Sequence, residues 1–270
     1  MSRTEVGVAA ARVEAGAVEA VFLDLDGCVW FGSQLADGAA ELVRDLRESG
    51  RTVAFLSNTS NSRASTVAAK LRRLGVPADE HDVLLPIELL PHHPLMRPRP
   101  PTWVVGTDEV RRAVAELTTV VDAPEAAELV VLARDPRLTY ADLAAALQPL
   151  LSGAPLLALN LDARVPVDGG RLVPGTGALA AALEAASGRR AELVGKPSRF
   201  YFEAALGRYG ARPESTVMVG DTLDVDVAGG AAAGLLTVHV GGDGTSALDP
   251  VPRPTWTLPA LRDLRSLLGL

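Results

Sequence analysis

Asp24 and Asp26 stand one residue apart at the end of the apolar run Val21-Phe22-Leu23, with Gly27 directly after them. In an extended segment both carboxylates point to the same side. Like charges that close repel unless a cation or a shared proton relieves them. Chemistry that uses paired acids is one explanation. An Asp-x-Asp-Gly turn closing a strand is the other, since Asp and Gly are common turn residues.

Other polar residues end apolar runs in the same way. Ser57, Asn58 and Thr59 follow residues 52–56, Lys196 follows Leu193-Val194-Gly195, and Asp221 follows 216–220. Taken alone, Ser57 reads as a helix cap, Lys196 as a solvated side chain and Asp221 as a turn former. In a parallel α/β sheet, however, the ligand crevice lies outside the carboxyl ends of the strands. If these strands are neighbours, the polar groups converge. Asp24, Asp221 and the nearby Asp226 then make a hard-oxygen set suited to Mg²⁺. Lys196 and the donors around Ser57 and Asn58 suit a phosphoryl dianion. A carboxylate beside such a cation can attack phosphorus and form an acyl phosphate, dividing hydrolysis into two easier steps.

The elements that must position these residues follow from periodicity. After the first apolar run, Leu42, Val43 and Leu46 recur at helical spacing. A second apolar run covers 52–56, and a helix over about 63–74 stops at Gly75 and Pro77. This rhythm indicates parallel β-α-β units. Prolines at 86, 91, 94, 98, 100 and 101 then predict an irregular excursion without a regular helix. His92 and His93 within it lack metal-ligand spacing. A second α/β rhythm has strands at 103–106, 129–133 and 156–159 and helices at 108–117 and 140–151. A polar segment over 160–171 and an alanine-rich helix to about 186 complete it. The first rhythm resumes at Ala191, with strands at 192–194, 216–219 and 236–240, helices at 198–209 and 224–233, and a terminal strand and helix over 255–268. The expected fold is α/β: a Rossmann-like parallel-sheet core over 1–82 and 178–270, with an α/β domain inserted over 83–177.

Composition narrows the function classes. The chain has 270 residues, 48% of them hydrophobic and 22% charged, as in an ordinary folded protein. Its net charge of −7 argues against nonspecific nucleic-acid binding, which needs a basic surface. Cys28, the single cysteine, cannot form an intramolecular disulfide and reads as a small buried hydrophobe in a reducing compartment. No apolar run approaches the roughly 20 residues of a membrane span. The N-terminal stretch carries Arg3, Glu5, Arg12 and Glu14, and reads as a tail or short helix of about 17 residues instead of a signal peptide. A cytoplasmic protein with no membrane partner is expected.

The motifs together carry a family resemblance. Asp24-Leu25-Asp26-Gly27, Ser57-Asn58, Gly195-Lys196-Pro197 and the run from Gly220-Asp221 to Asp226 resemble the four motifs of haloacid dehalogenase (HAD) superfamily phosphatases. Asn160-Leu161-Asp162 and Pro174-Gly175-Thr176-Gly177-Ala178 are similar to segments of the NagD-like, 4-nitrophenylphosphatase branch, whose α/β cap is inserted between the second and third motifs. The resemblance implies Mg²⁺-dependent hydrolysis of a small-molecule phosphate ester through an aspartyl phosphate. In that scheme Asp24 is the nucleophile and Asp26 the general acid and base. Ser57, Asn58 and Thr59 hold the phosphoryl oxygens, and Lys196 offsets the charge shared by Asp24 and substrate. Asp24, the Asp26 carbonyl, Asp221 and Asp226 supply the metal site; Asp224 starts a helix. Asn160 and Asp162 either face the substrate or form a hinge. The resemblance also allows a homodimer through the cap. Val225 stands where many relatives have Thr, and Thr59 replaces a common Asn. A phosphomutase or phosphotransferase using the same intermediate is the alternative, and a catalytically silent ligand-binding protein of this fold is a third reading.

Overall fold

The computed structural model describes residues 17–167, 171–241 and 244–270. The N-terminal tail expected from sequence lies, up to residue 16, outside the described residues. The first strands are β1 (Ala20–Leu23), β2 (Trp30–Phe31), β3 (Gln34–Leu35), β4 (Thr52–Leu56) and β5 (Val83–Leu84). Next come β6 (Thr102–Val105), β7 (Leu129–Leu132), β8 (Leu156–Ala158), β9 (Arg164–Val167), β10 (Arg171–Pro174) and β11 (Ala191–Leu193). The last are β12 (Thr216–Gly220), β13 (Leu236–Val240) and β14 (Trp256–Leu258).

The larger sheet has six parallel strands in the order β14-β13-β12-β1-β4-β5. β1 is apolar at every position and fully buried, as a central parallel strand covered on both faces must be. The helix Ala39–Glu48 packs on the same sheet, against β4, with Ala39, Leu42, Val43 and Leu46, the stripe expected from their spacing. Register then decides what emerges at the sheet's carboxyl edge. Leu23 is level with Phe55 of β4 and Val219 of β12, so Asp24, Ser57 and Asp221 all leave the sheet within two residues of that line.

A second parallel sheet, β11-β8-β7-β6, has two differently packed faces. Val105, Val130, Leu132 and Leu156 pack with Ala146, Leu150, Ala180 and Leu183 of the helices Tyr140–Leu151 and Thr176–Ser187. The alternate residues Val104, Val131 and Leu157 turn to the other face, with Val110 and Val114 of the helix Asp108–Ala115.

Sheet membership departs from the expected domain limits at both ends. Val83 and Leu84 pair with Phe55 and Leu56, so they lie in the larger sheet and not in the insertion that was to begin at 83. Ala191–Leu193 pairs with Leu156–Ala158, so the strand read as the return of the core belongs to the second sheet. Both strands are too short for periodicity to say which sheet edge they complete. The Pro-rich stretch is also more regular than expected. It forms the helical turns Pro86–Leu89, Leu90–His92 and Pro94–Met96, each with a proline in its first two positions, where the missing N–H has no cost. His93 is buried there, its ring edge-on to Phe200. The polar segment after Asn160 contains the antiparallel hairpin β9–β10. The helix expected over 224–233 opens as a wide turn, Leu223–Val227, before Ala228–Ala232, with Val227 N–H donating to the Thr222 carbonyl.

Candidate active site

Lys196 reaches the carboxyl edge of the larger sheet from the second one, having left β11. Gly195 makes that passage: a Cβ there would lie 2.5 Å from Asn58 Oδ1 and 2.7 Å from the Leu159 carbonyl oxygen. The Lys196 side chain is 2% exposed, and its ammonium donates to Asp24 Oδ1 at 2.5 Å, Asp226 Oδ1 at 2.7 Å and the Leu56 carbonyl at 3.1 Å. Three N–H donors thus meet three acceptors, which is the condition for burying a charge. The other oxygen of Asp226 accepts from Thr222 N–H at 3.2 Å.

Carboxylate oxygens of Asp24, Asp221 and Asp226 all lie within 4.8 Å of one another. Three carboxylates against the one Lys196 ammonium leave a formal excess of two negative charges in a largely buried pocket. Burial pushes the Asp24 carboxyl well up from the usual carboxylate range, and Asp226 and Asp221 add to this against the pull of Lys196. Asp221 is raised by burial and then by Asp226. For Lys196, burial alone would lower the ammonium, but Asp226 and Asp24 outweigh it and hold the proton firmly. Such a pocket wants a further positive charge, and a divalent cation fits its all-oxygen donor set. Among the described residues, the side-chain donors to Asp24 and Asp221 fall on Oδ1, whereas both oxygens of Asp226 are engaged. Gly27, at φ +87°, lets the chain turn beside this site; a Cβ there would sit 2.2 Å from Asp221 Oδ2.

Asp26 lies at the exposed rim, its Oδ1 accepting from Trp30 Nε1 at 2.8 Å. Ser57 Oγ donates to Thr59 Oγ1 at 3.0 Å and accepts from Thr59 N–H at 3.1 Å, which ties the second motif into one unit. Tyr201, fully buried, donates to the Leu84 carbonyl at 2.6 Å and fixes the adjoining strand ends. Asn58 links both sheets. Its Oδ1 accepts from Lys196 N–H at 2.8 Å, and its Nδ2 donates to the Lys196 carbonyl at 3.0 Å and Asp162 Oδ1 at 3.2 Å. Asn160 Nδ2 returns a bond to the Asn58 carbonyl at 2.6 Å.

The residues singled out in the sequence are therefore brought together: Asp24, Lys196, Asp221 and Asp226 in one cluster, and Ser57, Asn58, Thr59, Asn160 and Asp162 in the adjoining polar network. Asp224 stands apart, its carboxylate taken by Ser246 Oγ and by Ala247 N–H. Sequence reasoning passed over Trp30 and Tyr201, which act through hydrogen bonds that no motif records. Trp30 had one detectable signal, since a tight turn at Asp26-Gly27 brings the residue four places on back to Asp26.

A parallel sheet whose carboxyl edge gathers acids around one buried ammonium, beneath a second α/β layer, is an architecture of phosphoryl-transfer enzymes. Residues 21–119 match the haloacid dehalogenase-like hydrolase family, and residues 193–264 match a second HAD-hydrolase-like family segment. The chain belongs to the HAD-like hydrolases and is one of their phosphatases. It is 34% identical to human glycerol-3-phosphate phosphatase over 253 aligned positions, covering 82% of this chain and 78% of that one. It is 29% identical to the sugar-phosphatase AraL of Bacillus subtilis over 257 positions, covering 92% of each chain. Among solved structures, the 4-nitrophenylphosphatase of Thermotoga maritima superposes with a TM-score of 0.83 at 30% identity, over 93% of this chain and 98% of that one. No helix among the described residues is long and apolar enough to cross a membrane.

Proposed function

We propose that this phosphatase hydrolyses a small phosphate monoester through an aspartyl phosphate formed on Asp24, with Mg²⁺ as cofactor. The observation that carries the reading is the Lys196 ammonium held between Asp24 and Asp226 beside Asp221. Asp24 attacks phosphorus, its carboxylate held in place by that ammonium. Lys196 offsets the negative charge that builds between Asp24 and the phosphoryl group. Ser57, Asn58 and Thr59 receive the phosphoryl oxygens. Asp26 gives a proton to the leaving alcohol and later takes one from the attacking water, help worth about 10²- to 10⁴-fold in rate.

Asp24 and Asp221 would hold Mg²⁺ directly together with the Asp26 carbonyl, with Asp226 behind them, because Lys196 and Thr222 already engage its carboxylate. When bound, Mg²⁺ supplies positive charge at the phosphoryl oxygens. The second sheet with its helices acts as the cap, covering the site and choosing the substrate through the loop that carries Asn160 and Asp162. Related proteins are named for glycerol 3-phosphate, sugar phosphates and 5′-nucleotides, which supports a small, soluble phosphate ester as the substrate class.

Phosphate release from 4-nitrophenyl phosphate, without an added alcohol, tests this reading. Asp24→Asn is expected to fold and lose more than about 10³-fold in turnover. Excess chelator is expected to stop the wild-type enzyme. Retained turnover in the variant would remove Asp24 as nucleophile. Full activity in chelator would remove the cation. Phosphate release only when an acceptor alcohol is present would point to a phosphotransferase.

A further inference from the structure

Asp26 is exposed, yet its neighbour Trp30 is buried to 2% exposure and donates its indole N–H to one specific oxygen, Oδ1, at 2.8 Å. The backbone between them is closed on itself. Gly27 N–H donates to the Trp30 carbonyl at 2.9 Å, and Trp30 N–H donates to the Leu25 carbonyl at 2.9 Å. Lys70, on the helix Ala64–Arg73, places its ammonium 3.6 Å from the centroid of the Trp30 ring. The ammonium thus lies over the face of the indole and the carboxylate at its Nε1 edge, which links the helix to the rim of the active site.

We propose that Trp30 is a positioning residue that reserves Oδ1 of Asp26 as an acceptor, so that the catalytic proton is carried on Oδ2, and that Lys70 seats the indole for this task. The inference rests on the reading of Asp26 as general acid and base. An indole N–H can donate but cannot accept, so the oxygen it binds cannot present a proton to it. A protonated carboxyl accepts best at its carbonyl oxygen, so with Oδ1 taken by the indole the proton of Asp26 is carried on Oδ2. It passes to the leaving oxygen as the P–O bond breaks, and the attacking water returns a proton to the same oxygen. Without the indole, either oxygen of an exposed carboxylate can carry the proton, and the side chain can turn away from the leaving group. The cation over the ring draws electron density from it and strengthens the N–H as a donor. Burial lowers the Lys70 ammonium, and the Asp26 carboxylate partly offsets this.

The test compares kcat/KM for two esters of similar shape, because this parameter reports the step in which the alcohol leaves. Phenyl phosphate has a leaving group of pKa about 10, like tyrosine, and depends on the acid. 4-Nitrophenyl phosphate departs as a stable phenolate and depends on it little. Trp30→Phe is expected to lower kcat/KM for phenyl phosphate about ten-fold and for 4-nitrophenyl phosphate less than about two-fold, a fraction of what a general acid contributes. Lys70→Met, which spares the core, is expected to shift the same ratio about three-fold, and it decides the matter if Trp30→Phe does not fold. Equal losses on both esters, or none, in the folded variants would overturn the role of Trp30. Asp26→Asn serves as the control. If it too shows no leaving-group selectivity, the acid assignment falls; if it alone shows selectivity, only the positioning role falls.

Discussion

On the larger sheet, a lysine at 2% exposure satisfies two carboxylates and a carbonyl. On the second sheet, the ion pairs Arg111–Asp122 and Arg137–Asp108 sit with their acids largely in water. The first arrangement is costly to desolvate and is complete only because each charge has a partner. The second loses little when a partner is removed. Between the two lie hydrogen bonds from uncharged donors: Asn58 to Asp162, Asn160 to the Asn58 carbonyl, and Ser60 with Thr176 at 3.2 Å. Chemistry is concentrated where charge is buried and over-determined, and the second sheet is joined to it by these uncharged donors. On the proposed reading of the second sheet as a cap, opening parts these contacts and spares the buried ion pairs.

The sharpest way to break the contrast is Lys196→Met. It leaves Asp24 and Asp226 facing each other without a cation, and breaking a buried pair from one side costs about 3–5 kcal/mol. Activity is expected to fall more than about 10³-fold. The stability deficit should depend on pH in a defined direction. With the Asp24 carboxyl raised by burial, the native state binds more protons than the unfolded one, so stability falls as pH rises above the ordinary carboxylate range. Urea unfolding of the variant should therefore show its smallest deficit near pH 4 to 5 and its largest at neutral pH; a deficit independent of pH would mean that charge repulsion is not its cause.

The same sign governs the wild-type response to Mg²⁺. Asp24 and Asp221 have raised carboxyls, through burial first, so the metal-free protein loses their contribution as pH rises from the ordinary carboxylate range toward neutrality. A cation that binds only the folded, deprotonated site restores it. At a hundred times its dissociation constant, the gain is about 2.7 kcal/mol. Melting curves should show this Mg²⁺ gain at pH 7.5 and little of it at pH 4.5. An equal gain at both would place the cation elsewhere.

Asn58→Ala probes the joint between the sheets. It strips the Lys196 N–H and carbonyl of their side-chain partner, for a loss of about 2 kcal/mol, and frees Asp162. Turnover is expected to fall about ten-fold through misplacement of Lys196. Asn58→Asp should restore the acceptor to Lys196 N–H but place a like charge against Asp162, which burial already holds above the usual carboxylate range. Rescue by Asp would mean that the donor half of Asn58 is dispensable.

How much of this was legible beforehand differs between the regions for a physical reason. Asp24, Ser57 and Asp221 could be placed because each ends an apolar run, and the parallel register of β1, β4 and β12 then carries them to one edge. Lys196 was also expected beside these acids, and the structure places it there, but by another route. The three residues before Val194 complete the second sheet, and only the glycine passage at 195 brings the lysine across. A strand that short has no periodicity to reveal its partner. The Pro-rich turns and the β9–β10 hairpin were hidden similarly, since their stability comes from packing and pairing across the chain and not from local propensity. Trp30 escaped because the hydrogen bond that gives it meaning depends on which way a buried indole faces.

Arg63→Ala gives the smallest effect and is the cleanest control on the comparison. Arg63 donates to both oxygens of Glu116 at 2.8 Å, linking the loop after β4 to the end of the helix on the second sheet. The contact engages both carboxylate oxygens from the single nitrogen Nη2, but Glu116 is largely solvated, with 64% of its side chain exposed. Exposure should win: water replaces the arginine at the carboxylate, and the loss is expected to stay below about 1 kcal/mol. If this pair helps to hold the second sheet over the site, its removal should lower KM or kcat together with the energy needed to open, and added salt should mimic it in the wild type. If the closed arrangement rests on Asn58, Asn160 and Ser60, the variant should match the wild type in both constants at every salt concentration. The second result is the one expected, because those three contacts are shielded from water and the arginine pair is not.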